Sequence, residues 1–314
     1  MEVLERAVVP VRTDRQRLPV LFVGGLGRSG STVLDMLLAQ EPGMVPVGEV
    51  RHLWERGLRD NDLCACGAPF HDCLFWQAVG DHAFGGWRRL DSAYAVAAAR
   101  AVDRHRQLPL TASTLGRRST PLVRYAGMLQ RLYAGVLAVS GGQVVVDSSK
   151  DPPHGFVLRH VPGIDLRAVH LVRDSRGVAY SWAKSVVRPD AGSMQLMTRM
   201  APWRTALMWM DTNMLMGSLG RAGVPTMRIR YEDLVADPAG AIRAIRDLAA
   251  VSSPAAAVAQ HAIGGNPVRF QEGPLRLRVD QDWLSGMTRG EERLVTGITA
   301  PLLRRYGYPL RERR

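Results

Sequence analysis

Short apolar runs alternate along this chain with longer stretches whose apolar residues recur every three or four positions. The first run, 19–24, predicts a strand. A helix follows over 30–40, with Leu34, Leu37 and Leu38 on one face, and Pro42-Gly43 stops it. Residues 45–47 are a brief apolar stretch, and Gly48-Glu49 leads into a helix through Trp54. The stretch 57–75 reads as loop, 91–106 and 122–140 as helices, and 107–121 as a linker. A buried strand is expected over 143–147, a helix seeded by Pro152-Pro153, and a third strand over 166–172. Asp174 caps a helix running through Lys184. The polar stretch 186–200 reads as a flap, 201–216 as a helix, 224–230 as a fourth strand and 238–250 as a further helix.

Strands alternating with helices predict an α/β fold with a parallel sheet flanked by helices on both faces. One domain is expected over 1–314, with its core at about 19–250; the cysteine-bearing loop 57–75 and the segment 251–314 are insertion and extension. Ligands in such folds gather at the carboxyl ends of the strands. Gly24 to Ser31, Asp147 to Lys150, Arg173 and Tyr231 all fall just after predicted strands.

Charge adds one constraint. The formal net charge is +12, which suggests anionic partners. Arginine supplies 39 of the 41 basic residues, the other two being Lys150 and Lys184, and the arginines are scattered rather than gathered in a stripe. No nucleic-acid-binding motif is present, so a basic nucleic-acid-binding protein is a weaker reading and no nucleic-acid partner is expected. No apolar run reaches the length of a membrane span, and residues 1–17 are charged and without a signal-type apolar stretch, so a cytoplasmic protein is expected.

The cysteines Cys64, Cys66 and Cys73 fall within ten residues. With His71 they fit a zinc ligand set, but the spacing is tighter than usual modules. A local disulfide or a turn of thiols is the preferred reading, and cytosolic reduction favours free thiols.

After the first strand comes Gly24-Gly25-Leu26-Gly27-Arg28-Ser29-Gly30-Ser31-Thr32. A glycine turn entering a helix points backbone N–H groups at an anion. The G-x4-G spacing from Gly25 to Gly30 is that of a P-loop, yet Ser31 stands where ATP chemistry needs a lysine. Arg173 ends the third strand, and Ser181 follows eight residues later, about two helical turns on. A nucleotide-dependent kinase with a degenerate P-loop is therefore a rival reading, weakened by the missing lysine.

These motifs resemble the sulfotransferases that use 3′-phosphoadenosine 5′-phosphosulfate (PAPS). The resemblance covers roughly residues 20–50 and 143–240. It implies that Gly27, Arg28, Ser29, Gly30, Ser31 and Thr32 hold the 5′-phosphosulfate, that Arg173 and Ser181 hold the 3′-phosphate, and that Tyr231, in a Tyr-Glu-Asp-Leu segment, lies near the adenine. It also implies transfer of a sulfuryl group to the hydroxyl of a small-molecule acceptor, without a metal. The glutamate of Gly48-Glu49 is similar to the base of the tyrosylprotein and related bacterial branch, with His52 as the alternative. Lys150, just past a strand end, is placed to neutralise the leaving oxygen, together with Arg28. The cytosolic branch closes its nucleotide with an Arg-Lys-Gly segment that this chain lacks. Asn266 and Arg269, in Gly-Gly-Asn-Pro-Val-Arg-Phe, are candidates to reach the 3′-phosphate or the phosphosulfate, or equally a turn followed by surface arginines. Trp182, Trp203, Trp209 and the nearby methionines suggest an apolar or aromatic acceptor or, equally, core packing.

Overall fold

The computed structural model describes residues 17–113, 119–185, 187–188, 195–196, 198–251, 260–265, 267–270 and 277–311. Asn266 and the greater part of the predicted flap lie outside them.

Five parallel strands form the central sheet: β1 (Leu18–Gly24), β2 (Met44–Gly48), β3 (Val144–Lys150), β4 (Ile164–Val172) and β5 (Thr226–Arg230), in the order β2-β3-β1-β4-β5. The apolar runs are near-continuous because both faces are covered. Along β1, Val20 and Phe22 enter the core on one face and Leu21 and Val23 the core on the other.

The first face carries α4 (Thr120–Ser140), α5 (Pro152–Leu158) and α7 (Pro202–Arg221), whose Leu129, Phe156 and Met216 pack with Val20 and Phe22. The second carries α1 (Ser31–Leu38) and α9 (Pro238–Ala249), whose Leu34, Leu38, Ile242 and Ile245 pack with Leu21 and Val23. Between β4 and α7 runs α6 (Ser175–Ala183), and α8 (Tyr231–Ala236) follows β5 directly. Asp174 caps α6 through its carboxylate, which accepts from the Arg176 N–H at 2.8 Å, as its place in the sequence suggests.

Several elements differ from the sequence expectation. The brief apolar stretch at 45–47 lies within a full edge strand, β2. After Glu49 the chain makes a short 3-10 turn and then a π-helical turn over Leu53–Arg59. A helix, α2 (Leu74–Phe84), begins where loop was expected, ahead of α3 (Ser92–Val102). Its aromatic residues account for it: Phe75 and Trp76 are buried, and Trp76 packs against Phe70 with ring centroids 5.4 Å apart. In the C-terminal extension, α10 (Arg289–Arg305) packs on α6 and α7. Within the predicted flap, Val187–Arg188 pair antiparallel with Gln195–Leu196.

Candidate active site

All five strands end at one edge, and each hands over a residue singled out in the sequence. β1 leads into the glycine loop, β2 into Glu49, β3 ends on Lys150, β4 leads to Arg173 and β5 to Tyr231. That convergence follows from the parallel sheet, which puts every strand's carboxyl end on the same side.

The loop from Gly25 turns into α1 through Gly30, whose φ of 97° is left-handed. A side chain there would also collide with Tyr231, since an added Cβ would lie 2.4 Å from the ring. Gly30 offers no side-chain cap to α1. Ser29 and Ser31 are buried in this turn. Gly27 packs under Trp182, whose indole N–H donates to the Gly27 carbonyl at 2.9 Å. Trp182 is the neighbour of Ser181, so α6 is fastened to the loop beside that hydroxyl.

Two cations sit in left-handed backbone, Arg28 at φ 74° and Lys150 at φ 68°. Such conformations cost a non-glycine residue roughly 1–3 kcal/mol and cluster at functional sites. Arg28 also stacks on Trp182, 5.6 Å from the ring centre. Burial lowers its hold on its proton, and the charge of Glu49 works the other way.

Lys150 makes a direct, short ion pair with Glu49. Glu49 is buried, and its backbone N–H donates to the Ile263 carbonyl at 2.7 Å. Burial alone pushes its carboxyl up, but Lys150, then His52 and Arg56, outweigh this and hold it at about 2. His52 stands one turn on, 3.7 Å from the other Glu49 oxygen. Burial, aided by Arg56, Arg51 and Lys150, overrides Glu49 and brings the imidazole down to about 4, leaving it neutral at pH 7.

Arg173 is buried and held on three sides. It donates to the Arg28 carbonyl at 2.9 Å, pairs with Asp280 at 2.8 Å, and lies over the Tyr231 ring at 4.8 Å. Gly177, one turn before Ser181, meets the same guanidinium: an added Cβ would lie 3.3 Å from its Nε. The Tyr231 hydroxyl donates to the Arg278 carbonyl at 3.3 Å, so the segment around 278–280 covers this corner.

Arg269 is buried and donates to the Leu63 carbonyl at 3.2 Å. Gly265 lies between it and the phosphate loop: its Cβ position is 3.6 Å from Arg269 and 3.2 Å from the Thr32 hydroxyl. Gly264 is packed the same way against Glu49. Arg269 thus belongs to a strap laid across the site.

Sequence reasoning overlooked a buried polar network at the end of β3. His154 bridges two buried carboxylates, Asp103 at 2.5 Å and Asp147 at 3.0 Å. Asp147 also accepts from Tyr133 and from both the N–H and hydroxyl of Ser149. Ser149 in turn accepts from the Arg51 N–H at 2.9 Å, which ties β3 to the turn after Glu49. The Asp147 oxygens are committed to this network. The other lysine, Lys184, pairs with Asp282 at 3.1 Å. A cleft of about 490 Å³ opens beside His52, lined among others by Arg51, Trp54, Val96 and Arg104.

The arrangement is a glycine-rich strand-to-helix turn with Arg28, Lys150 and Arg173 beside it and a buried carboxylate at its edge. A sulfotransferase family model matches residues 19–253, and the chain belongs to that family. One similar solved structure agrees on the fold. The sulfotransferase domain of the Synechococcus PCC 7002 olefin synthase is 19% identical, with a TM-score of 0.52 over 95% of this chain and 98% of that one. A sulfotransferase domain from the curacin biosynthetic pathway is 18% identical, with a TM-score of 0.49 over 94% and 100%. Sulfotransferase STF9 from Mycobacterium avium is 13% identical, with a TM-score of 0.47 over 95% and 79%. No curated protein sequence matches the chain. Among the described residues no helix is long and apolar enough to cross a membrane.

Proposed function

We propose that the protein transfers the sulfuryl group of PAPS to the hydroxyl of a small-molecule acceptor and releases adenosine 3′,5′-bisphosphate. The observation that carries this is the direct pairing of Lys150 with Glu49 at the rim of an anion loop that has no P-loop lysine. A kinase would need that lysine against the β,γ-phosphates, where this chain has Ser31.

In this reading the acceptor oxygen attacks sulfur in line, the sulfur–oxygen bond to the 5′-phosphate breaks, and the bond pair stays on the phosphate oxygen. Glu49 takes the hydroxyl proton. Lys150, Arg28 and the loop N–H groups of Gly27 to Thr32 meet the charge that grows on the leaving oxygen. A carboxylate held at about 2 is a weak base. The 5′-phosphosulfate supplies Lys150 with a competing anion, and once Lys150 turns to it, burial raises the Glu49 pKa toward a useful range. Arg173 and Ser181 select the nucleotide by its 3′-phosphate, with Tyr231 beside the base. Arg269 reaches the nucleotide's phosphates from the strap. The acceptor enters by the cleft beside His52, whose size suits a small molecule. Arg104 and Arg106 at its wall favour acceptors with a polar or anionic substituent next to the hydroxyl.

Calorimetry with adenosine 3′,5′-bisphosphate tests the assignment. Binding is expected without divalent metal, and Arg173→Ala should weaken it by about 2 kcal/mol or more, the worth of a charged contact. Unchanged affinity in that variant, or stabilisation by ATP with Mg²⁺ and none by the bisphosphate, would overturn the reading.

A further inference from the structure

Far along the chain from the cysteines, His261 comes back to meet them. The Sγ atoms of Cys64, Cys66 and Cys73 and the Nδ1 of His261 all lie within 4.8 Å of one another. Cys66 and Cys73 are 3.6 Å apart, Cys73 and Cys64 3.7 Å, and Nδ1 lies 3.3 Å from Cys73 and 3.7 Å from Cys64. Zinc–sulfur bonds of about 2.3 Å and zinc–nitrogen bonds of about 2.0–2.1 Å at tetrahedral angles give ligand separations of about 3.6–3.8 Å. A disulfide needs about 2.05 Å, and all three thiols are free.

The ligand partner expected from sequence, His71, is occupied elsewhere: its Nε2 lies 3.0 Å from the Leu58 carbonyl. The ring of His261 stacks on Phe75 at 4.5 Å, with the planes 7° apart, which fixes the direction of Nδ1. Its carbonyl accepts from the Trp76 indole at 2.9 Å. Cys64 and Cys73 are buried and Cys66 is exposed, so the cluster has a sealed floor and an open side for metal entry.

We propose that Cys64, Cys66, Cys73 and His261 bind one structural zinc ion. Binding replaces three thiol protons, which leave to solvent, with three sulfur–zinc bonds and one nitrogen–zinc bond. The ion clasps the strap to the site. The Ala65 N–H already donates to the Ala262 carbonyl at 3.0 Å, and the next residue, Ile263, pairs with Val47 and Glu49. Zinc at this point fixes the backbone that positions Glu49, Gly264 and Gly265 without touching the reacting groups.

The test is the metal content of the full chain purified without chelator, by plasma mass spectrometry. One zinc per chain is expected, released by a mercurial thiol reagent, and Co²⁺ in its place should give thiolate charge-transfer and tetrahedral ligand-field bands. His261→Ala and Cys66→Ser should each lower zinc affinity at least ~10-fold, as loss of one of four ligands requires, while His71→Ala keeps full content. Hydrogen exchange at the Glu49 and Ile263 amides should quicken on zinc removal. The proposal is overturned by wild-type protein that holds no zinc and titrates three free thiols, by a two-dalton mass loss showing a disulfide in metal-free protein, or by loss of zinc from His71→Ala but not His261→Ala. Because the wild-type metal content decides the matter, a variant that fails to fold does not shield it.

Discussion

Glu49 is the residue whose role depends most on a neighbour. Its carboxyl is buried, which favours the protonated acid, yet Lys150 holds it ionised at about 2. Glu49→Gln keeps the shape and removes the base. Turnover is expected to fall by about a hundredfold or more while bisphosphate affinity stays unchanged. If turnover survives this change and His52→Ala abolishes it, the neutral imidazole is the base. At this scale the sequence was informative: Arg28, Lys150, Arg173 and Tyr231 were legible because strand ends in a parallel sheet converge, whereas Glu49, after the unread strand β2, was reached only through the family resemblance. Asp103 and His154 were not, since a buried ion pair formed by residues 51 apart leaves no local pattern.

At the scale of elements, the C-terminal extension does more than the sequence suggested. Its segment around 278–280 brings Asp280 onto Arg173 and the Arg278 carbonyl onto Tyr231. A carboxylate there occupies the guanidinium that the 3′-phosphate is proposed to use. Apparent affinity falls with the fraction of protein whose site is ready to bind. Asp280→Ala should therefore tighten the bisphosphate by about three- to tenfold in calorimetry; weaker binding would instead make Asp280 a group that orients Arg173. The helix α10 had a readable signal. Thr288 and Glu291 form a capping box, with the Thr288 hydroxyl accepting from the Glu291 N–H at 3.2 Å. By contrast β2, five residues with a proline inside, and α2, whose start is hidden in a cysteine-rich stretch, carried too little periodicity to be read.

For the whole molecule, the His154 network links β3, the start of α5 and the end of α3 through one buried charge. Burial disfavours the imidazolium, but Asp103 and Asp147 overcome this and push it up to about 10, from 6.5 in the unfolded chain. Its contribution to stability is complete below about pH 6.5 and drains away as the pH rises toward 10. The melting temperature should fall between pH 7 and 10, and a His154→Gln, Asp103→Asn pair should flatten that slope. An equal slope in the double variant would assign the alkaline loss to other groups. His154→Ala alone should cost about 3–5 kcal/mol, because it strands two buried carboxylates.

The bridge between Gly48 and Ile263 has a further meaning. β2 is the outer strand of the sheet, and residues 261–265 are what lies against its carboxyl end. The family match stops at residue 253, so a chain trimmed to that boundary would keep every strand and lose this cover. Its outer strand would then present unpaired N–H and C=O groups to other chains, the usual template for edge-to-edge aggregation. The rim of the candidate site and the protection of the sheet against self-association thus share one stretch of backbone, and the natural limit of the folding unit lies beyond the limit of the family pattern.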